Sequence, residues 1–206
     1  MVIKLTVGTF GTNTYIYFDE NSRQGVVIDP AAEAERILAK ISELALEIQA
    51  ILLTHGHFDH TSGVNEVRAA LNVPVYAAQH EAALISDPAQ NGADYFGIKV
   101  ANVEVDKLLS QEGEAKFGGL KIHVLATPGH TRGCICFYIP ETKALFAGDT
   151  LFKESYGRYD LPTGDFPALT GSLNRLLMLP EDVVVYPGHG PSTTIGHEKT
   201  HNLIRR

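Results

Sequence analysis

Residues 49–60, Gln49-Ala50-Ile51-Leu52-Leu53-Thr54-His55-Gly56-His57-Phe58-Asp59-His60, decide how this chain is read. The first half is a short apolar run that fits a buried strand at 49–54. The second half places four metal-capable side chains within six residues. In an extended segment residues two apart point the same way, so His55 and His57 can grip one ion together. Asp59 and His60 fall where the chain turns into the next helix and can aim at a second ion. With nine histidines in 206 residues, chance assembly of this run is on the order of one in a thousand.

Two ions need more donors, and the second half of the chain supplies them in matching places. His130 sits in Thr127-Pro128-Gly129-His130-Thr131-Arg132-Gly133, Asp149 in Ala147-Gly148-Asp149-Thr150, and His189 in Tyr186-Pro187-Gly188-His189-Gly190-Pro191. Each follows a β run and is flanked by Gly or Pro, which let the backbone turn sharply and approach a ligand. Loops at strand ends are where a rigid scaffold gathers its binding residues.

Around these motifs the chain reads as strands alternating with helices. Strands fit at 2–7, 13–18 and 24–29. Asp29-Pro30 then opens a helix with apolar positions Ile37, Leu38, Ile41, Leu44 and Ala45. Val64, Val67 and Leu71 mark a short helix, followed by a strand at 73–76 and a helix near 79–86. Residues 87–114, broken by Asp-Pro and Asn-Gly, read as irregular. Further strands fit at 115–117, 120–126, 134–139, 143–147 and 183–186, with helices at 166–178 and from about 194. No linker or repeat divides the sequence. One domain over 1–206 is expected, with sheets packed together and helices outside.

Composition excludes several functions. The formal charge is −7, from 17 basic and 24 acidic residues, which argues against a nucleic-acid surface. No apolar stretch approaches membrane-spanning length, and the first residues alternate like a strand rather than a signal peptide. Cys134 and Cys136 lie two apart in a strand-like run, where a disulfide would be strained and close almost no loop. They read as small core fillers in a reducing, cytoplasmic setting.

The ordered pattern of Asp29 after a strand, Thr-His-x-His-x-Asp-His at 54–60, Gly-His at 129–130, Asp149 and His189 resembles the metallo-β-lactamase superfamily over almost the whole chain. The resemblance implies an α/β protein, a four-layer αββα sandwich with a dinuclear site. It implies His55, His57 and His130 as ligands of the first metal, Asp59, His60 and His189 of the second, and Asp149 as the bridge. Two zinc ions are the expected cofactors, with iron or manganese also suited to such donors. True β-lactamases carry a Cys at the bridging position. Asp149 and the added ligand His60 are instead similar to the glyoxalase II branch, in its short single-domain form. The loops Gly157-Arg158-Tyr159-Asp160-Leu161-Pro162 and 187–194 look like that branch's signature loops.

The implied activity is hydrolysis of a small-molecule thioester such as S-lactoylglutathione, with no nucleic acid or membrane partner. Metal coordination lowers the pKa of water to about 7 and furnishes the attacking hydroxide. Asp59 and Asp149 are the carboxylates expected at the chemistry, and Arg158 is expected to bind a substrate carboxylate. An Arg158–Asp160 ion pair within the loop is the competing reading. Longer glyoxalase II enzymes have Glu-Tyr after the last ligand histidine and an added helical domain. Gly190 and Pro191 stand here and the sequence ends at Arg206, so their glutathione recognition does not carry over. A second branch of the scaffold, the iron persulfide dioxygenases, shares the run matched at 127–134 and would use one iron on two His and one Asp, corresponding to His57, His130 and Asp149 or a near variant. That family has Asp-Tyr where Gly190-Pro191 stand.

Other histidines invite different readings. His197-Glu198-Lys199-Thr200-His201 matches the H-E-x-x-H zinc-protease pattern but leaves only five residues for a third ligand, so an exposed terminal helix is expected. His123 alternates away from the apolar face of its strand, and nothing marks His80 as functional. Asp29 is open to two readings, an N-cap before Pro30 or a support for the metal loop.

Overall fold

The computed structural model describes residues 1–205, and its elements follow the hydrophobic periodicity. The strands of the first half are β1 (Val2–Val7), β2 (Thr12–Phe18), β3 (Gln24–Ile28), β4 (Glu47–Leu52), β5 (Val75–Ala78) and β6 (Lys107–Leu109). They form one six-stranded sheet in chain order. β1 to β3 pair antiparallel and β3 to β6 parallel. Parallel neighbours need crossovers. These are α1 (Ala34–Glu43), then α2 (Phe58–Thr61) with α3 (Val64–Leu71), then α4 (Gln79–Ile85) with α5 (Ala93–Phe96).

The second half contributes β7 (Glu112–Phe117), β8 (Leu120–Ala126), β9 (Ile135–Ile139) and β10 (Ala144–Gly148). A small hairpin, β11 (Leu151–Phe152) and β12 (Ser155–Tyr156), precedes α6 (Phe166–Leu176). Then come β13 (Val184–Pro187), β14 (Thr193–Thr194) and α7 (Ile195–His201). The second six-stranded sheet is ordered β14-β13-β10-β9-β8-β7. Its one parallel pair, β10 with β13, is bridged by α6.

Three apolar interfaces define the layers, because successive strand side chains face opposite ways. Tyr15, Val26, Ile28, Leu52, Ile122, Phe137 and Phe146 meet between the sheets. Ile16, Val27, Ile51 and Leu53 face outward from the first sheet onto Ile37 and Ile41 of α1 and Val64 and Val67 of α3. Leu145, Ala147 and Cys136 face outward from the second sheet onto Leu169, Leu173 and Leu176 of α6. The order is helix, sheet, sheet, helix. Each fully buried Phe or Leu contributes about 1.5–3 kcal/mol of transfer free energy. Among the described residues no helix is long and apolar enough to cross a membrane.

Several sequence expectations shift. The first helix begins at Ala34, not at Asp29-Pro30, because Asp29 adopts a left-handed backbone (φ 48°) and spends its side chain elsewhere. That helix also stops before Ala45, which is left-handed at φ 48°. The stretch expected to be irregular, 87–114, holds α5, β6 and the start of β7. With three and four residues, β6 and α5 are too short to show a period. α6 ends at Leu176, and its N-cap Asp165 accepts from the Ala168 amide at 2.9 Å.

Candidate metal centre

The loops that leave β3, β4, β8, β10 and β13 meet at one edge of the sandwich and bring the donors together. The two sheets are joined there directly. The Ile135 amide donates to Thr54 O at 2.9 Å, and the Asn13 amide to Gly188 O at 2.7 Å. Thr12 forms an isolated antiparallel bridge with His189. The Asn13 side chain donates to Pro187 O and Gly190 O, and the Tyr15 hydroxyl to Pro187 O. A loop carrying one histidine is thus clamped onto the sheet that leads to the others.

Donor atoms of His55, His57 and His130 lie within 4.8 Å of one another, as do those of Asp59, His60 and His189. Asp149 stands between the groups. Its Oδ1 is 3.2 Å from His60 Nε2, and its Oδ2 is 3.7 Å from His130 Nε2 and 3.5 Å from His189 Nε2. His189 Nε2 is also 3.3 Å from Asp59 Oδ2. Asp29, His55 and His60 satisfy the same distance rule. They are no third ion site, because Asp29 accepts from the Thr54 amide at 2.8 Å, the Thr54 hydroxyl at 2.6 Å and His60 Nδ1 at 3.0 Å.

These hydrogen bonds orient the rings. The Thr54 hydroxyl gives its proton to Asp29, so toward His55 Nδ1, at 3.1 Å, it is an acceptor. His130 Nδ1 donates to the Arg158 carbonyl at 2.7 Å. In His55, His60 and His130 Nδ1 therefore carries a proton, which leaves the inward-turned Nε2 as the atom that would bind a metal. His57 Nδ1 lies 2.8 Å from His130 Nε2. Among the described residues, four buried side-chain atoms have no hydrogen-bond partner: Nε2 of His55, His57 and His60, and Oδ1 of Asp149. An unpaired buried polar group costs about 1–3 kcal/mol. A divalent cation would satisfy convergent lone pairs of this kind, so the donor set fits a metal.

Backbone space is equally restricted. A Cβ on Gly188 would lie 2.1 Å from Asp149 Oδ1 and 2.6 Å from His60 Cε1. One on Gly148 (φ 47°) would lie 2.4 Å from the Thr54 hydroxyl. Only glycine lets these loops come so close.

The two groups differ in charge. Burial lowers the His57 pKa from 6.5 to about 3, with His130 adding to it. Burial likewise holds His55 and His130 below the usual range. For His60 and His189 burial acts in the same direction but is outweighed, by Asp149 and Asp59 at His60 and by the Asp59 hydrogen bond at His189, so both are raised. Asp59 and Asp149 are lowered despite burial, chiefly by His60.

Sequence reading did not foresee Glu81. This fully buried carboxylate accepts from the Gly56 amide and the Gly133 amide at 2.7 Å each and from the Thr131 hydroxyl at 2.9 Å. It thereby ties the loop of His55 and His57 to the loop of His130. Burial raises its pKa, with the three donors pulling the other way. A single Glu in a helix carries no signal of that role. Arg158 shows both features weighed for it. It lines the cavity over the centre, and it donates twice to Asp160, at 2.7 and 2.9 Å. Of the remaining histidines, His197 and His201 stack on an exposed helix face at 4.3 Å, while Glu198 is buried and holds Thr193 and Asn202. His80 is exposed, and His123 lies 4.0 Å from Glu114 at the surface.

The described geometry coincides with known proteins. The family model of the metallo-beta-lactamase superfamily matches residues 7–189. A hydroxyacylglutathione hydrolase, GloC, of Haemophilus influenzae is 36% identical over 203 residues, 96% of this chain and 94% of that protein. The crystal structure of BLEG-1 B3 metallo-beta-lactamase superposes with a TM-score of 0.94 at 37% identity, covering 98% of each chain. TTHA1623 in a di-iron-bound form gives 0.87 at 40% identity, also covering 98% of each chain. The chain belongs to the metallo-β-lactamase superfamily. Its metal-binding cluster is of the His/Asp type.

Two outcomes follow from the geometry. Because His60 and His189 are raised and the first three histidines lowered, a metal at Asp59/His60/His189 competes with protons up to a higher pH than one at His55/His57/His130. Affinity of the former should fall about tenfold per pH unit for each proton displaced as pH drops. Equilibrium dialysis from pH 7.5 to 5.5 should show that group emptying first; simultaneous loss would contradict the assignment. Glu81→Gln turns an amide N–H toward a buried donor, costing about 1–3 kcal/mol. It should lower both the melting midpoint and metal retention at the His55/His57/His130 group, read by circular dichroism and elemental analysis.

Proposed function

We propose that the protein is a dinuclear metal-dependent hydrolase of small-molecule thioesters, with S-lactoylglutathione as a reference substrate. The observation that carries this reading is Asp149, a carboxylate set between two complete groups of three donors. Similarity to a hydroxyacylglutathione hydrolase supports the substrate class. Metal ions held by the two groups would supply a water-derived nucleophile near neutral pH and a Lewis acid for the carbonyl. Zinc is the proposed metal, with iron or manganese as the tested alternatives.

The chain's own residues favour a solvent-derived nucleophile. Neither Ser, Thr nor Cys lines the cavity among the described residues. Cys134 and Cys136 are fully buried, and burial raises both thiols. In the reaction, water adds to the carbonyl carbon, the C–S bond breaks, and acid and thiol leave. Asp59 and Asp149 are held ionised by their histidines, so neither stores a proton for a poor leaving group. A thiolate departs without one. That ease of departure is consistent with a thioester as substrate. Arg158 gives Nε and Nη2 to Asp160 and lies 5.6 Å over the Tyr95 ring, a position at the mouth from which it would meet a substrate carboxylate. A reducing, cytoplasmic setting belongs to the same proposal, supported by the two buried free thiols.

Protein purified without added metal should carry about two ions per chain and hydrolyse S-lactoylglutathione. One iron per chain with oxygen uptake on glutathione persulfide would instead place it with the dioxygenases. Arg158→Ala should raise KM several-fold with metal content retained. Unchanged kinetics would remove that residue from substrate binding.

A further inference from the structure

The cavity over the metal cluster has a volume of about 270 Å³, and one side of it is aromatic. Phe10, Phe58 and Phe96 form a closed triad. Their ring centroids lie 5.2 Å apart for Phe10–Phe58 and for Phe10–Phe96, and 5.8 Å apart for Phe58–Phe96. Phe152 adds a further ring, edge-on to His189 at 6.1 Å. Phe58 is buried, but Phe10 is 38% and Phe96 42% exposed. Apolar surface left open beside a polar centre is the usual composition of a ligand pocket, where a few polar groups orient and the rest is hydrophobic.

This wall has little to offer a hydroxyl. Its one polar side chain is Asn91, whose amide nitrogen donates to Ile85 O and whose oxygen accepts from the Ala93 amide, both at 3.0 Å. The other polar groups facing the cavity are the proposed metal ligands and Arg158, which is held by Asp160. A group lying on the wall meets ring faces and edges. Burying a 2-hydroxyl there would cost its hydration with no hydrogen bond in return.

We infer that the Phe10/Phe58/Phe96 wall is the acyl subsite and that it selects apolar acyl groups over 2-hydroxyacyl groups such as lactoyl. The inference rests on the thioester reading and names the substrate class within it. A single methylene of apolar contact already discriminates by about 10–200-fold.

The test compares S-phenylacetylglutathione with S-lactoylglutathione on the metal-loaded protein, alongside Phe96→Ala and Phe96→Leu. It is paired with calorimetric binding of phenylacetate and lactate, which needs no turnover. The wild type should favour the phenylacetyl thioester in kcat/KM by about tenfold or more. Phe96→Ala should erase most of that ratio with metal content retained, and Phe96→Leu should restore part of it. Equal or greater preference for lactoyl, or a ratio unmoved by Phe96→Ala, overturns the subsite. If neither thioester is hydrolysed, the thioester reading falls while the acids still decide. Tighter binding of phenylacetate, lost in Phe96→Ala, supports the apolar subsite, and equal binding refutes it.

Discussion

Asp29 holds the centre in place. Its carboxylate takes the Thr54 amide on one oxygen and both the Thr54 hydroxyl and His60 Nδ1 on the other. One side chain at the end of β3 thus fixes where the loop after β4 begins, which tautomer His60 adopts, and, through the Thr54 hydroxyl, which tautomer His55 adopts. The Asp29 backbone is left-handed, and its carbonyl accepts from the Thr14 hydroxyl at 2.6 Å. Asp tolerates that conformation better than most residues. Without this clamp the inward-facing nitrogens would be free to turn to each other or to water.

The same logic of enforced proximity runs through the other loops. Glu81 binds the amide between His55 and His57 and two groups just beyond His130. Asn13 and Tyr15 hold the loop of His189 against the first sheet. Gly188 and Gly148 remove the side chains that would stand between Asp149, His60 and Thr54. Buried carboxylates and glycines together set several mutually repelling donors side by side. That arrangement leaves lone pairs unsatisfied, a cost that a bound cation would offset.

Much of the architecture was legible along the chain. Apolar alternation placed β1 to β4 and β8 to β10 within a few residues of where they lie. It could not show β6, β11, β12 or β14, which are two or three residues long and exist because a neighbouring strand offers hydrogen bonds. The run at 54–60 was readable as a metal motif because its donors are adjacent. The partners of that motif were readable only as Gly- or Pro-flanked residues at strand ends.

Residue types and local spacing by themselves determined the layered α/β class and the donors available for a His/Asp cluster. The tertiary structure decided what each donor faces. It assigned Asp29 to the metal loop rather than to a helix cap, brought in Glu81 from a helix that carries no signal, and laid Phe10, Phe58 and Phe96 against one another over the cluster. The division has a physical cause. Periodicity is set by neighbours a few bonds away, whereas a ring's tautomer, a carboxylate's charge and a cavity's lining depend on groups brought close only when the sheets pack.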